Sequence, residues 1–348
     1  MNLVRRERVD MFNKQDFKNS HGLLNNGNWW TTEFLNKAYD VVKDRKFPIL
    51  IPSYTNTAKS KDFCPSAVRG FLSNMNDDFN YPIILFVRRS QYEDYKSANN
   101  HKFVTIIPFK DELINSAGNA RRWSLKWLYD NGYNHAFSFD DDALGIGMTE
   151  YGITGAGDPK SKAIKTTNVS KVLACWQYSM EKLEEKYNNV VLTGVYPIGF
   201  SWKESYCWMN ESALLYRGNL NQVVCLNVEN LIKNNIIYKD NRECGHEDIQ
   251  LILESLEKDM VVATFPFIWY STPPMDVVNF SEFGSTMKDR FARQQELMMS
   301  NWKDCPWVSF RDKRDLPQVV INFRKYRKDK NIENCAINLF EEDLNNET

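Results

Sequence analysis

Three consecutive carboxylates, Asp140, Asp141 and Asp142, close a short and mostly apolar run at residues 136–139. In extended chain the side chains alternate, so Asp140 and Asp142 are expected to point together while Asp141 faces away. Two carboxylates side by side repel unless a cation sits between them. Hard oxygen ligands favour Mg²⁺ or Mn²⁺, which keep positions open for water or phosphate oxygens. A bare Asp-Asp-Asp is otherwise a solvated acidic turn. Here the apolar run precedes it and the upstream helix carries Arg121 and Arg122, which puts the metal and phosphate reading first. A second acidic pair, Glu247 and Asp248, opens another helical segment, where the helix dipole favours negative charge. Capping needs only one of the two. His246 beside them could complete a metal shell or be satisfied by a backbone group.

The elements that must position these groups follow from periodicity. Asn115 or Ser116 can cap a helix whose Ala120, Trp123, Ser124, Trp127 and Leu128 share one face, and Asn131-Gly132 ends it. Continuous apolar runs at 47–54, 81–87, 104–108 and 136–139, separated by helical segments at 67–75, 92–98 and 115–130, indicate a parallel sheet covered on both faces. The aspartates then stand beyond the carboxyl end of a strand, where open α/β sheets bind ligands.

Further along, the Gly- and Lys-rich stretch 145–165 suggests a surface loop or a mobile flap. A helix is expected over 168–187, strands at 190–195 and within 202–218, a helix over 243–258, a strand at 261–269 and a helix over 287–300. Residues 302–330 interleave aromatic and basic side chains, suiting either a nucleic-acid surface or a solvated helix. Arg311, Arg314, Arg324, Lys325 and Arg327 are the cations available there, and Trp202 and Trp208 are rings that could stack on an acceptor. The lead-in, 1–45, includes an amphipathic helix at 32–42 and carries no assigned chemistry.

The chain has 348 residues, enough for one elaborated α/β domain or two domains. Its formal net charge of -1 excludes a polycation, so nucleic acid would need a local basic face. Seven cysteines in no Cys-x-x-Cys pair argue for reduced thiols and a cytosolic compartment. No stretch offers eighteen uncharged apolar residues, so a membrane partner is not expected.

Taken in order, Pro52-Ser53-Tyr54, the run Ala117-Gly118-Asn119-Ala120-Arg121, Phe139-Asp140-Asp141-Asp142 and Glu247-Asp248 resemble the GT-A glycosyltransferase fold over about residues 45–270. That resemblance implies an α/β chain with a Rossmann-like nucleotide-binding half, a mostly parallel central sheet with helices on both faces, and acceptor-side elaborations. The corresponding division is a lead-in at 1–45, a catalytic domain at 46–272 (donor half 46–145, acceptor half 166–272) and a helical basic and aromatic extension at 273–348.

The resemblance also implies roles. Asp140 and Asp142 match the metal and diphosphate motif, with Mn²⁺ or Mg²⁺ as the cation. Asp248, or Glu247, matches the acceptor base of inverting members. Arg121 matches a donor-contacting arginine, although here Arg122-Trp123 follow it. Pro52, Ser53, Tyr54, Arg88, Asn119 and Asp141 complete the donor set. Where many members carry an aspartate after the second strand, this chain has Val87-Arg88-Arg89-Ser90. With Gln91, Tyr92 and Tyr95 nearby, that departure is similar to phage and kinetoplastid transferases acting on hydroxymethylated pyrimidines in DNA. The function so implied is transfer of a sugar, UDP-linked, to hydroxymethylcytosine in double-stranded DNA, in a host cytoplasm. Alternatives are a cytosolic glycosyltransferase acting on protein or polysaccharide, a nucleotidyltransferase, and a DNA-binding module with a lapsed site.

Overall fold

The computed structural model describes residues 32–53, 63–73, 81–153, 159–164, 168–198, 212–218, 220, 222–272, 286–313 and 316–340. The first described helix, α1 (Thr32–Val42), buries Phe34, Ala38 and Val42 at helical spacing. Then β1 (Ile49–Pro52), α2 (Ser66–Ser73), β2 (Ile83–Arg88), α3 (Tyr92–Ala98), β3 (Val104–Phe109), α4 (Ala117–Asp130) and β4 (His135–Phe139) alternate. Strand β1 pairs in parallel with both β2 and β4, and β2 pairs in parallel with β3. The order is therefore β4-β1-β2-β3, and the chain reverses its direction of winding between β1 and β4. Ligands of open α/β sheets sit at such a switch point.

Several elements were expected differently, among them the C-terminal segment, expected to be helical, which holds a hairpin at 308–321. The Gly- and Lys-rich stretch forms a hairpin, β5 (Gly145–Ile153) with β6 (Pro159–Ile164), and not a loop. Pairing decides the matter: β5 lies antiparallel on the long strand β10 (Val261–Ser271), and Ile146 and Met148 are buried against it. Helix α5 (Val169–Lys186), capped by Asn168, packs on α1, and β7 (Val190–Pro197) runs parallel to β10. Between come β8 (Ala213–Leu215), the fully buried β9 (Val223–Asn227), α6 (Val228–Lys233), α7 (Asn241–Cys244) and α8 (Glu247–Glu257). Strand β9 is another element that periodicity missed. It runs antiparallel to both β4 and β7 and so splices the two halves into one mixed sheet.

That sheet runs β13-β8-β10-β7-β9-β4-β1-β2-β3, with β13 spanning Ala336–Ile337. Along this path only β8 and β9 oppose the common direction. The chain is thus an α/β protein with a mostly parallel sheet and helices on both faces.

After β10 come α9 (Met287–Trp302), a separate hairpin of β11 (Val308–Lys313) and β12 (Leu316–Ile321), and α10 (Phe323–Asp329). Met298, Trp302, Tyr326 and Phe340 belong to the same hydrophobic cluster as the sheet. Burial of such side chains contributes about 2 kcal/mol each, so this segment is bound to the central sheet rather than appended to it. Among the described residues no helix is long and apolar enough to cross a membrane.

Candidate functional site

Helix α4 begins where Ser116 accepts a hydrogen bond from Asn119 N, and it ends at Asn131 and the left-handed Gly132 (φ +80°). Gly118, in the first turn, meets the backbone so closely that a Cβ there would lie 1.9 Å from Lys239 O. One turn on, Arg121 projects over the sheet. Its Nη2 donates to Asp140 Oδ1 and its Nη1 to Glu247 Oε1. It also lies over the Tyr238 ring, 5.8 Å from the centroid. One guanidinium thus joins the end of β4 to the start of α8. Its planar fork suits two carboxylates at once.

The aspartate triplet is a turn and not extended chain: Ala143 N donates to Asp140 O. The expected alternation of side chains therefore stops at Phe139. Asp140 faces Arg121. Asp141 turns to the end of β1, where its Oδ2 accepts from Ser53 Oγ at 2.7 Å, and Ser53 Oγ lies 2.8 Å from Tyr95 Oη. With its proton given to the carboxylate, Ser53 accepts from Tyr95. This bond ties the loops after β1 and β4 together at the switch point. Asp142 Oδ1 is buried with no hydrogen-bond partner among the described residues.

Burial pushes the Asp140 carboxyl up to about 7, with Arg121 opposing and Asp142 adding to the rise. Burial likewise carries Asp141 to about 6 against the Ser53 hydrogen bond, and it raises Asp142. Arg121 is held well above its ordinary value. Burial works against its charge, and the Asp140 and Glu247 carboxylates outweigh it. The cluster carries more negative charge than one arginine balances.

Asp141 yields a test of sign. Its folded value lies above the unfolded value of about 3.9, so the folded state holds the proton longer. Its stability contribution is therefore lost as pH rises from about 4 to about 6, and the full penalty stands above that window. Asp141→Asn keeps an acceptor for Ser53 and removes the charge. It is expected to raise the thermal midpoint at pH 8, worth about 3 kcal/mol, with the gain closing below pH 4. An equal gain at both pH values would contradict this account.

Of the other expected site residues, Arg88 Nε donates to Ile114 O at 3.2 Å and ties β2 to the approach of α4. Asn119 Nδ2 donates to Asn115 Oδ1 and to Asp240 Oδ2 at 2.7 Å, which is a scaffold contact. Pro52 ends β1. His246 precedes α8, and burial lowers its pKa while the Asp248 carboxylate opposes the shift. Asp248 Oδ1 accepts from Ile249 N at 2.8 Å and lies close enough to Arg121 to raise its pKa. Tyr54, Trp202, Trp208 and Arg314 lie outside the described residues.

The C-terminal segment keeps its rings inward. Trp302 Nε1 donates to Gln250 Oε1, Tyr326 is buried, and Trp307 packs edge-on against Tyr326. Arg327 donates to Tyr216 O at 2.7 Å, so it too is a structural contact. Arg311, Arg324, Lys325 and Lys328 remain exposed.

Among the described residues no group of three or more His, Cys, Asp or Glu side chains forms a metal cluster. The donors that do fit a hard cation are Asp142, with its unpartnered buried oxygen, and Asp140. Such a cation would take its remaining ligands from water or from the phosphates of a bound substrate. Sequence reasoning missed Asn241, which bonds Glu247, and Tyr238, whose ring lies against Arg121; both meet the site only through the tertiary fold.

No protein-family model matches the chain, and no curated protein matches it. Among solved structures it is similar to S. aureus TarS 1–349 in complex with UDP-GlcNAc, with 12% identity and a TM-score of 0.40, over 72% of this chain and 65% of that one. It is also similar to GalNAc-T7 with UDP, GalNAc and Mn²⁺, with 10% identity and a TM-score of 0.41, over 91% of this chain and 66% of that one. The chain thus spans just under two thirds of either.

Proposed function

We propose that the protein is a glycosyltransferase of the GT-A type, moving a sugar from a UDP-linked donor to a hydroxyl acceptor. The observation that carries this reading is Arg121 held between Asp140 and Glu247 at the switch point, beside the unpartnered carboxylate oxygen of Asp142. A departing diphosphate develops negative charge where such a site concentrates cations, and a divalent metal on Asp140 and Asp142 would supply the rest of that neutralisation. Arg121 orients the diphosphate and balances its charge. Of the acidic pair, Glu247 is engaged by Arg121, so Asp248 is the group left to take the proton of the acceptor hydroxyl in an inverting transfer.

For the acceptor, the exposed Arg311, Arg324, Lys325 and Lys328 support a DNA backbone, and hydroxymethylcytosine rests on the resemblance at Val87-Arg88-Arg89-Ser90. The inward rings favour a second reading, an acceptor on protein or polysaccharide. The protein is to be incubated with a panel of UDP-sugars, with Mn²⁺ or with chelator, and with hydroxymethylcytosine DNA, followed by digestion to nucleosides. UDP release that depends on Mn²⁺, together with a hexose or pentose mass increment on the nucleoside, is expected. UDP release without that increment and without salt-dependent DNA binding would move the acceptor to the second reading. No UDP release from any donor, or release of pyrophosphate, would overturn the transferase assignment.

A further inference from the structure

The turn that carries α7 reaches into the site through one side chain that the proposed reaction does not use. Asn241 is buried, with 5% of its surface exposed. Its Oδ1 accepts from Gly118 N, in the first turn of α4, at 2.5 Å, and its Nδ2 donates to Glu247 Oε2, the first residue of α8, also at 2.5 Å. A backbone N–H on one side and a carboxylate on the other allow only this orientation of the amide. Glu247 Oε1 in turn receives Arg121 Nη1, and Arg121 Nη2 meets Asp140.

We infer that Asn241 is a positioning residue, which through Glu247 fixes the direction in which Arg121 presents its guanidinium. Its catalytic consequence rests on the transferase reading; its structural part does not. The amide is itself fixed from both sides. Asn119 Nδ2 holds the neighbouring Asp240. On the other side Gln294 and Asn301 of α9 donate to Gly245 O and Glu243 O, both at 3.2 Å. Gly245, at φ +82°, lets α9 approach, because a Cβ there would lie 2.5 Å from Gln294 O. Held at Oε2 by a donor that cannot move, Glu247 offers Oε1 in one place, and Arg121 follows.

The test is an exchange of the pair. Asn241→Asp keeps an acceptor for Gly118 N and sets a second carboxylate oxygen against Glu247 Oε2. Adding Glu247→Gln returns a donor to that contact, while the new amide carbonyl still faces Arg121. With UDP-sugar turnover as readout, N241D is expected to lower kcat about 30-fold, the loss of one hydrogen bond to a charged group, with little change in donor KM. The N241D/E247Q double variant is expected to recover most of that loss and to exceed either single variant. Thermal midpoints of the four proteins without substrate should show the same recovery. Recovery of the midpoint but not of kcat would make Asn241 a purely structural residue and overturn the inference, as would a double variant no better than N241D in both readouts. If the wild type turns over no UDP-sugar, the proposed reaction falls, and the midpoints alone decide whether the pairing stands.

Discussion

Arg121→Met is expected to slow turnover of every UDP-sugar by two to three orders of magnitude and to lower the stability of the substrate-free protein. The guanidinium bridges Asp140 and Glu247. Removing one member of a buried ionic group leaves the others desolvated and uncompensated, at a cost of about 3 kcal/mol. Met fills similar volume, so the loss reports charge and not packing. On the kinetic side, the departing diphosphate loses a preoriented donor, worth about 100- to 1,000-fold in kcat. Arg121→Lys should restore little of either. The three N–H groups of an ammonium leave one nitrogen, whereas Arg121 reaches the two carboxylates, which sit on separate elements, with two different nitrogens. Urea denaturation together with steady-state kinetics checks both halves. A Lys variant within about threefold of wild type in kcat would show that charge alone suffices and that the fork geometry is dispensable.

The parallel half of the sheet was legible in sequence because its strands are buried on both faces. Residues 83–87 and 49–52 are continuous apolar runs, and continuous runs between helices imply a parallel sheet. The helix over Ala117–Asp130 was legible for the same kind of reason, since its cap, its face and its Asn-Gly stop are all local signals. What local signals cannot carry is pairing. Strand β9 is short and follows an irregular segment, and only its two antiparallel neighbours make it a strand. The β5–β6 hairpin has the composition of a loop, yet lies against β10.

The site divides along the same line. Asp140 and Arg121 are close in sequence, on consecutive elements, so their meeting follows from the helix and strand assignments. Glu247 and Asn241 reach them across more than a hundred residues, through a turn whose shape is set by Gly118 against Lys239 O and Gly245 against Gln294 O. The inward turn of Trp302, Tyr326 and Trp307 was equally hidden, because basic and aromatic interleaving describes composition and not direction.

Asp142→Asn is expected to move stability and activity in opposite directions. In the wild type the carboxyl is pushed up by burial, and Oδ1 has no hydrogen-bond partner among the described residues. At pH 8 the neutral amide removes a buried, uncompensated charge from beside Asp140 and Asp141, so the substrate-free protein should gain about 1 kcal/mol. A divalent cation binds the folded protein through this same carboxylate on the proposed reading, and it stabilises in proportion to its occupancy. Mn²⁺ should therefore raise the thermal midpoint of the wild type and leave that of the D142N variant unmoved, while turnover of the variant falls about 100-fold or more. Asp141→Asn offers the contrast, since its carboxylate is held by Ser53, and its Mn²⁺ response should persist. If the D142N protein were less stable than wild type without metal, or kept its Mn²⁺ shift, the strain at this carboxylate would have a cause other than a missing cation.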